Sequence, residues 1–498
     1  MKKIKLILPI IALMLFSCDD YLDINDSPNN PNESQITPDL TMAGAHNSSY
    51  SVLVRRMNEL GNVFMNNWGA NVNAFTGGYA EEFGITMSNN FYEDIWNSLY
   101  RNTYEYSKII NHPSADYDNH KAIAKIMKAF YFQYLVDMYG DIPYSEAHQG
   151  IANVNPKYDD DQEIYRDLIV QIDSAIDMID NAPANTVEVG NEDIILGGNM
   201  ALWKKFANTL KLRILLREAT KAETDATSQA YLVDQFTNNL ELDFIAQDVK
   251  INPGYSNAKD SQQNPWMNLM INLDETPITY RQAYNFRRAS KYIATQLNTT
   301  PDPRRSRLFT LISGQVVGVE QGDASQPAGT APDDMSKLGP GLVKNSAQDG
   351  FIMLLSESLL LQAEAVARGY IGGDAQSLFD SAITASMTHL GATPGSYIGD
   401  VNGELGRGFA VASNLDEQIQ AIMYQKSIAL NGTNGLEIWV EYTRTGLIDN
   451  IPMPMGSTSP TGKKPLRLMY PTSELASNSA NVPVQSVNDA FTTAPFWK

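Results

Sequence analysis

Two stretches of this chain gather the residue types that bind sugars. The first holds Trp68, Phe75 and Tyr79 among Asn66, Asn67, Asn71 and Asn73; the second holds Trp266, Tyr280 and Tyr284 among Gln262, Gln263, Asn264 and Arg281. A sugar presents apolar C–H faces and a rim of hydroxyls, so flat rings beneath it and amides or guanidinium groups at its edge match both. One ring contributes roughly 1–3 kcal/mol, short of the ~4 kcal/mol of millimolar affinity, so several must act together. The competing role for each ring is to anchor its loop to the core, a common use of apolar burial. From the two stretches, Trp68, Asn71, Asn73, Phe75, Tyr79, Trp266 and Tyr280 are the expected ligand contacts.

Catalytic constellations are missing from the sequence. The histidines, at 46, 112, 120, 148 and 389, form no HExxH, and a single cysteine cannot build a thiolate zinc site. In GSTSPTGKK (456–464) five residues separate the glycines, and Lys464 stands where a phosphate loop needs Ser or Thr, so this reads as a plain loop. There is no GxSxG elbow, and the 57 acidic side chains single out no glycosidase pair. The run Asp159-Asp160-Asp161 lacks the spacing of a calcium loop and reads better as a helix start. The expectation is a binding protein, not an enzyme, with no catalytic residue, metal or cofactor. A net charge of −20 and a pI near 4.7 argue against nucleic acid as a partner.

The amino terminus sets Lys2, Lys3 and Lys5 before an apolar run too short to span a bilayer, as in a secretory signal. Leu15-Phe16-Ser17-Cys18 resembles a bacterial lipobox, which implies removal of 1–17 and lipidation of Cys18, the chain's only cysteine. Residues 18–38, acidic and then proline-bearing, read as an extended tether. The remainder, 39–498, shows no obvious linker and reads as a single domain.

Within it, helical periodicity is strongest at 121–147, where Ile123, Met127, Phe130, Tyr134 and Met138 share one face and further apolar residues fill the circumference. Gly140 and Pro143 end this central helix. A helix from about 91 to 112 precedes it. Asp160, with Glu163 three residues on, marks a capping box for the stripe Ile164, Leu168, Ile172, Ala175 and Ile179. Further stripes begin near Asn199 and cover 351–369, 375–389, 415–430 and 435–446. Paired in order, these make about four helical hairpins. The stretches 66–83, 248–287 and 314–350 read as irregular excursions, with one short strand at Val316–Val317.

Several of these helices carry specific motifs: LVDMYGDIPY at 135–144, ALWKKFANTLKLRILLRE from 201, Asp302-Pro303-Arg304, ESLLLQAEAVARG ending at Gly369, and Glu437, Trp439, Glu441 and Arg444-Thr445-Gly446. In these the chain resembles the SusD/RagB family over most of its mature length. The resemblance implies a mostly α fold, an α-solenoid of tetratricopeptide-like helix pairs with long loop excursions and few short strands. It also implies a lipid-anchored protein on the outer face of the outer membrane, capturing oligosaccharides or glycans for a SusC-like TonB-dependent transporter. A peptide-capturing relative of the same family is not separated from this by sequence. A third alternative, a helical-repeat scaffold for other proteins, is disfavoured by the aromatic excursions.

Overall fold

Pro38 sits in the first turn of helix α1 (Pro38–Val52), where its missing N–H costs nothing. A π-turn carries α1 into α2 (Asn58–Phe64). The computed structural model describes residues 36–71, 78–323, 332–448 and 450–498; Cys18, Asn73 and Phe75 lie outside them. Pro38, the last residue of the expected tether, therefore belongs to a helix. The sequence reading missed α1 because its buried positions mix Met42 and Tyr50 with Ala45, His46 and Ser49, which blurs the apolar stripe.

The expected hairpins are present. Helices α3 (Glu93–Ile110) and α4 (Asp118–Tyr139) pair, as do α5 (Asp161–Asp180) with α6 (Met200–Ala222), α7 (Leu355–Ala367) with α8 (Ala375–Leu390), and α9 (Leu415–Ala429) with α10 (Gly435–Thr445). Asp160 accepts the Glu163 N–H at 3.0 Å and Asn199 the Leu202 N–H at 3.1 Å, so each caps the helix it was expected to start. Helix α4 is the hub. Its second half is buried all round, it packs on α1, α3, α5 and α6, and it stops at Gly140 with φ 75°. The fold is mostly helical, in the tetratricopeptide-like manner.

The helical motifs prove to be ionic as well as apolar. Inside the stack, Arg217 reaches Glu437 and Glu441 at 2.6 Å each, and Lys426 reaches the same two carboxylates at 2.9 and 2.6 Å. Arg444 pairs with Glu364 at 2.8 Å, Arg213 with Glu357 at 3.1 Å, and Asp137 lies 3.4 Å from Arg217. These residues are buried and come from α4, α6, α7, α9 and α10. Burial would raise the Glu437 carboxyl, but Arg217 and Lys426 outweigh it and hold it at about 2. At Asp137 burial wins over Arg217, and the carboxyl rises to about 6.

Among the described residues, six short strands pair in three antiparallel ribbons: β1 (Trp68–Ala70) with β5 (Arg287–Ala289), β2 (Val249–Ile251) with β6 (Gly350–Met353), and β3 (Ile271–Glu275) with β4 (Ile278–Tyr280). The strand expected at Val316–Val317 does not form; a single bridge joins Ser290 to Val319 instead. Near β1, α2 crosses α10 so tightly that a Cβ on Gly61 would lie 2.0 Å from the Gly435 backbone. Asn58 fixes the crossing by donating to the Gly432 carbonyl and accepting the Gly435 N–H, both at 2.9 Å.

Candidate functional site

The two aromatic excursions, remote in sequence, are joined by β1 and β5. Asn66 ends α2 in the left-handed region (φ 56°), which asparagine adopts more readily than most residues, and the chain turns into β1. Trp68 then stands opposite Ala289 and Ala70 opposite Arg287. Gln321 donates to the carbonyls of Val63 and Trp68 at 2.8 and 2.7 Å, tying a third loop to the junction.

Beneath this junction the rings face inward. Trp68, 0% exposed, stacks on Trp266, 3% exposed, with centroids 5.7 Å apart and planes at 21°. The Arg287 guanidinium lies 5.8 Å from both indole rings and forms a buried ion pair with Glu59. Tyr79 donates to Glu59 at 2.6 Å and packs against Phe286. Its hydroxyl is pushed well above the usual tyrosine value, first by burial. Asn71 is buried too, and its N–H donates to the Phe286 carbonyl at 2.7 Å.

Trp68, Asn71, Tyr79 and Trp266, expected as ligand contacts, are all buried in this structure. They fasten the excursions to the core, because an indole on a second indole and under a guanidinium gains more from enclosure than from solvent. Asn264 likewise serves the backbone, capping Pro265–Met270 through bonds to Trp266 N–H and Met267 N–H at 2.8 and 3.2 Å. Asn73 and Phe75 fall outside the described residues.

Tyr280 is different. It ends β4 with 42% of its surface exposed, and its ring lies on Tyr284 at 4.0 Å with planes at 15°. Tyr284 is buried and fixed by its own hydroxyl, which donates to the Leu338 carbonyl at 2.9 Å. The result is a flat ring with a rigid backing and a solvent-facing side. Arg281, next in sequence, donates to the Ile271 carbonyl at 2.8 Å and pairs with Asp260 at 2.7 Å. Thr279 and Gln282, the exposed neighbours on either side, supply a hydroxyl and an amide. Sequence reading missed these two; the strand-to-helix turn ITYRQAY was the available signal, since alternation along β4 sets Thr279 and Tyr280 on opposite sides and the following turn returns Gln282 to the surface.

Asp141, Asp160 and Asp161 also converge, with carboxylate oxygens within 4.8 Å of one another. Backbone donors already occupy them: Asp141 accepts the Asp161 N–H at 3.1 Å, Asp160 caps α5, and Asp161 accepts the Phe496 N–H at 2.8 Å. Burial, then the Asp141 charge, raises the Asp161 carboxyl to about 6.

The molecule is a stack of helix pairs with a backed aromatic ring exposed at the end of β4. The chain belongs to the SusD-like family, whose model, described as "Starch-binding associating with outer membrane", matches residues 28–471. No curated protein sequence matches it. Among solved structures it is similar to a chitin-binding protein (24% identity, TM-score 0.69, covering 90% of this chain and 95% of that one). It is also similar to a chitin-binding SusD homologue from Flavobacterium johnsoniae (21%, 0.72, 92% and 98%) and to a SusD/RagB family protein from Bacteroides thetaiotaomicron (20%, 0.69, 93% and 99%). No described helix is long and apolar enough to cross a membrane.

Proposed function

We propose that this protein is a surface lipoprotein that captures oligosaccharides and passes them to a SusC-like TonB-dependent transporter of the outer membrane. Membership of an outer-membrane, starch-binding family supports the reading, as do two structural relatives named for chitin binding. The observation that carries it is the Tyr280 ring, exposed on one face and stacked on a buried tyrosine on the other. Ligand rests on the ring face while Gln282 serves its hydroxyl rim. Because the platform is already ordered, binding costs little side-chain entropy.

Anchoring follows from Cys18. Acyl chains there, at about 0.8 kcal/mol per buried methylene, hold the body at the membrane. The segment that leads from Cys18 to α1 then keeps the platform near an import channel at high effective concentration. The role is binding and transfer, without turnover.

The test is titration calorimetry of wild type and Tyr280→Ala against a glycan panel that includes chitohexaose and maltohexaose. One lost ring at roughly 1–3 kcal/mol predicts a loss of affinity of about 5- to 150-fold. The melting temperature should hold, since the ring is half exposed. Unchanged affinity for every bound glycan, or no binding across the panel, would overturn the proposal.

A further inference from the structure

A cleft of about 930 Å³ opens beside the helix pair α7–α8 and shares no lining residue with the Tyr280 platform. Its size falls in the roughly 300–1,000 Å³ range of small-ligand sites. Phe351 and Leu355 give it an apolar floor, and one face of α8 contributes Thr384 and Thr388. Both threonine hydroxyls donate to helix carbonyls, to Asp380 at 3.0 Å and to Thr384 at 2.9 Å, so their oxygens are left to accept. An apolar floor under a row of hydroxyl acceptors is again what a sugar ring requires.

The charges narrow the choice. Both acids of the cleft are engaged. Asp248 accepts the Leu355 N–H at 2.8 Å and lies 2.8 Å from the His389 ring nitrogen. Asp349 accepts from Asn252 at 2.8 Å and pairs with Lys250 at 3.0 Å. Lys344, which also lines the cleft, has no carboxylate within 4.0 Å among the described residues. Neither has Arg307 near it, whose guanidinium donates to the Leu390 carbonyl at 2.9 Å. Partial burial and the charges of Arg307 and Lys250 lower the Lys344 pKa, Asp349 opposing them. In a chain of net charge −20 the spare charge here is positive.

We propose that this cleft is a second sugar subsite selective for a carboxylate-bearing unit, a uronic acid, with Lys344 as its charge contact. The ligand's carboxylate receives a charge-assisted hydrogen bond that a neutral sugar cannot exploit. Its ring lies over Phe351, and its hydroxyls donate to Thr384 and Thr388. The inference rests on the glycan-binding reading above and assigns the substrate class.

Calorimetry on the detergent-solubilised full-length protein tests it, with trigalacturonate and its carboxyl-reduced galactotriose counterpart as probes. Wild type should favour the acid by about tenfold at low salt, and the preference should shrink at about 0.5 M salt. Lys344→Gln, at an exposed position, should abolish the preference, whereas Tyr280→Ala should leave it in place. Equal affinity for the two probes, a preference that survives Lys344→Gln, or no binding of trigalacturonate would overturn the inference. Failure of the broader reading looks different: no glycan binds at all, and Tyr280→Ala changes nothing.

Discussion

Replacing Arg217 with methionine keeps an apolar stem in the core and removes the guanidinium that reaches Glu437, Glu441 and Asp137. Arg213, Arg217, Arg368, Lys426 and Arg444 pair with Asp137, Glu223, Glu357, Glu364, Glu437 and Glu441, five cations with six carboxylates. The variant leaves four cations (five less one) for the six acids. Removing one member of a buried ionic group costs about 3–5 kcal/mol, because the partners remain buried. At about 2.1 cal/mol/K per residue, a chain of this length unfolds with an entropy near 1 kcal/mol/K, so the melting temperature should fall by about 3–5 °C. The pH dependence follows from the carboxyls. In wild type the folded Glu437 value, about 2, lies below the unfolded value of 4.5, so its stabilisation is complete above 4.5 and lost as pH falls toward 2. In Arg217→Met the carboxyls have lost a cation and titrate higher, and protonation relieves the excess negative charge. The deficit against wild type should therefore narrow between about pH 7 and pH 5. Scanning calorimetry of both proteins across that range measures it. A loss below about 1 °C, or a deficit that stays constant with pH, would refute the reasoning.

Two other outcomes are expected. Trp68→Ala should cost about 3–5 kcal/mol of stability, as deletion of a fully buried ring does, while the folded fraction keeps its glycan affinity; lost affinity at an unchanged melting temperature would return Trp68 to the binding surface. Cys18→Ser should release the protein from membranes into the soluble fraction, and persistent membrane association would defeat the anchoring proposal.

Helix pairing was legible because apolar periodicity and side-chain caps are local: Asp160 and Asn199 start α5 and α6 as their types demand. The inward turn of Trp68 and Trp266 was not. Whether an aromatic in an irregular stretch faces the core or the solvent depends on a partner some two hundred residues away, and the free energy of covering the ring is similar in both cases. The ionic network was hidden for another reason. Charged residues such as Glu437 and Arg217 are read as surface residues by default, and their burial shows only when α6, α9 and α10 converge. Composition singled out Tyr280 as an expected contact. Its neighbours Thr279 and Gln282 and the cleft at Lys344 were not singled out, because they arise from turns and from packing between distant segments.

The β1–β5 ribbon divides the molecule's evolutionary freedom. Its own positions are constrained, since all six are buried and include Trp68 and the Glu59-paired Arg287. The ionic core is equally constrained, since exchanging one acid or base there strands its partners. Mutations can therefore accumulate in the loops that the ribbon ties together, altering which ligand is recognised, while the helical stack beneath keeps its fold. A lineage adapting to new nutrients can retune its bait without rebuilding its frame.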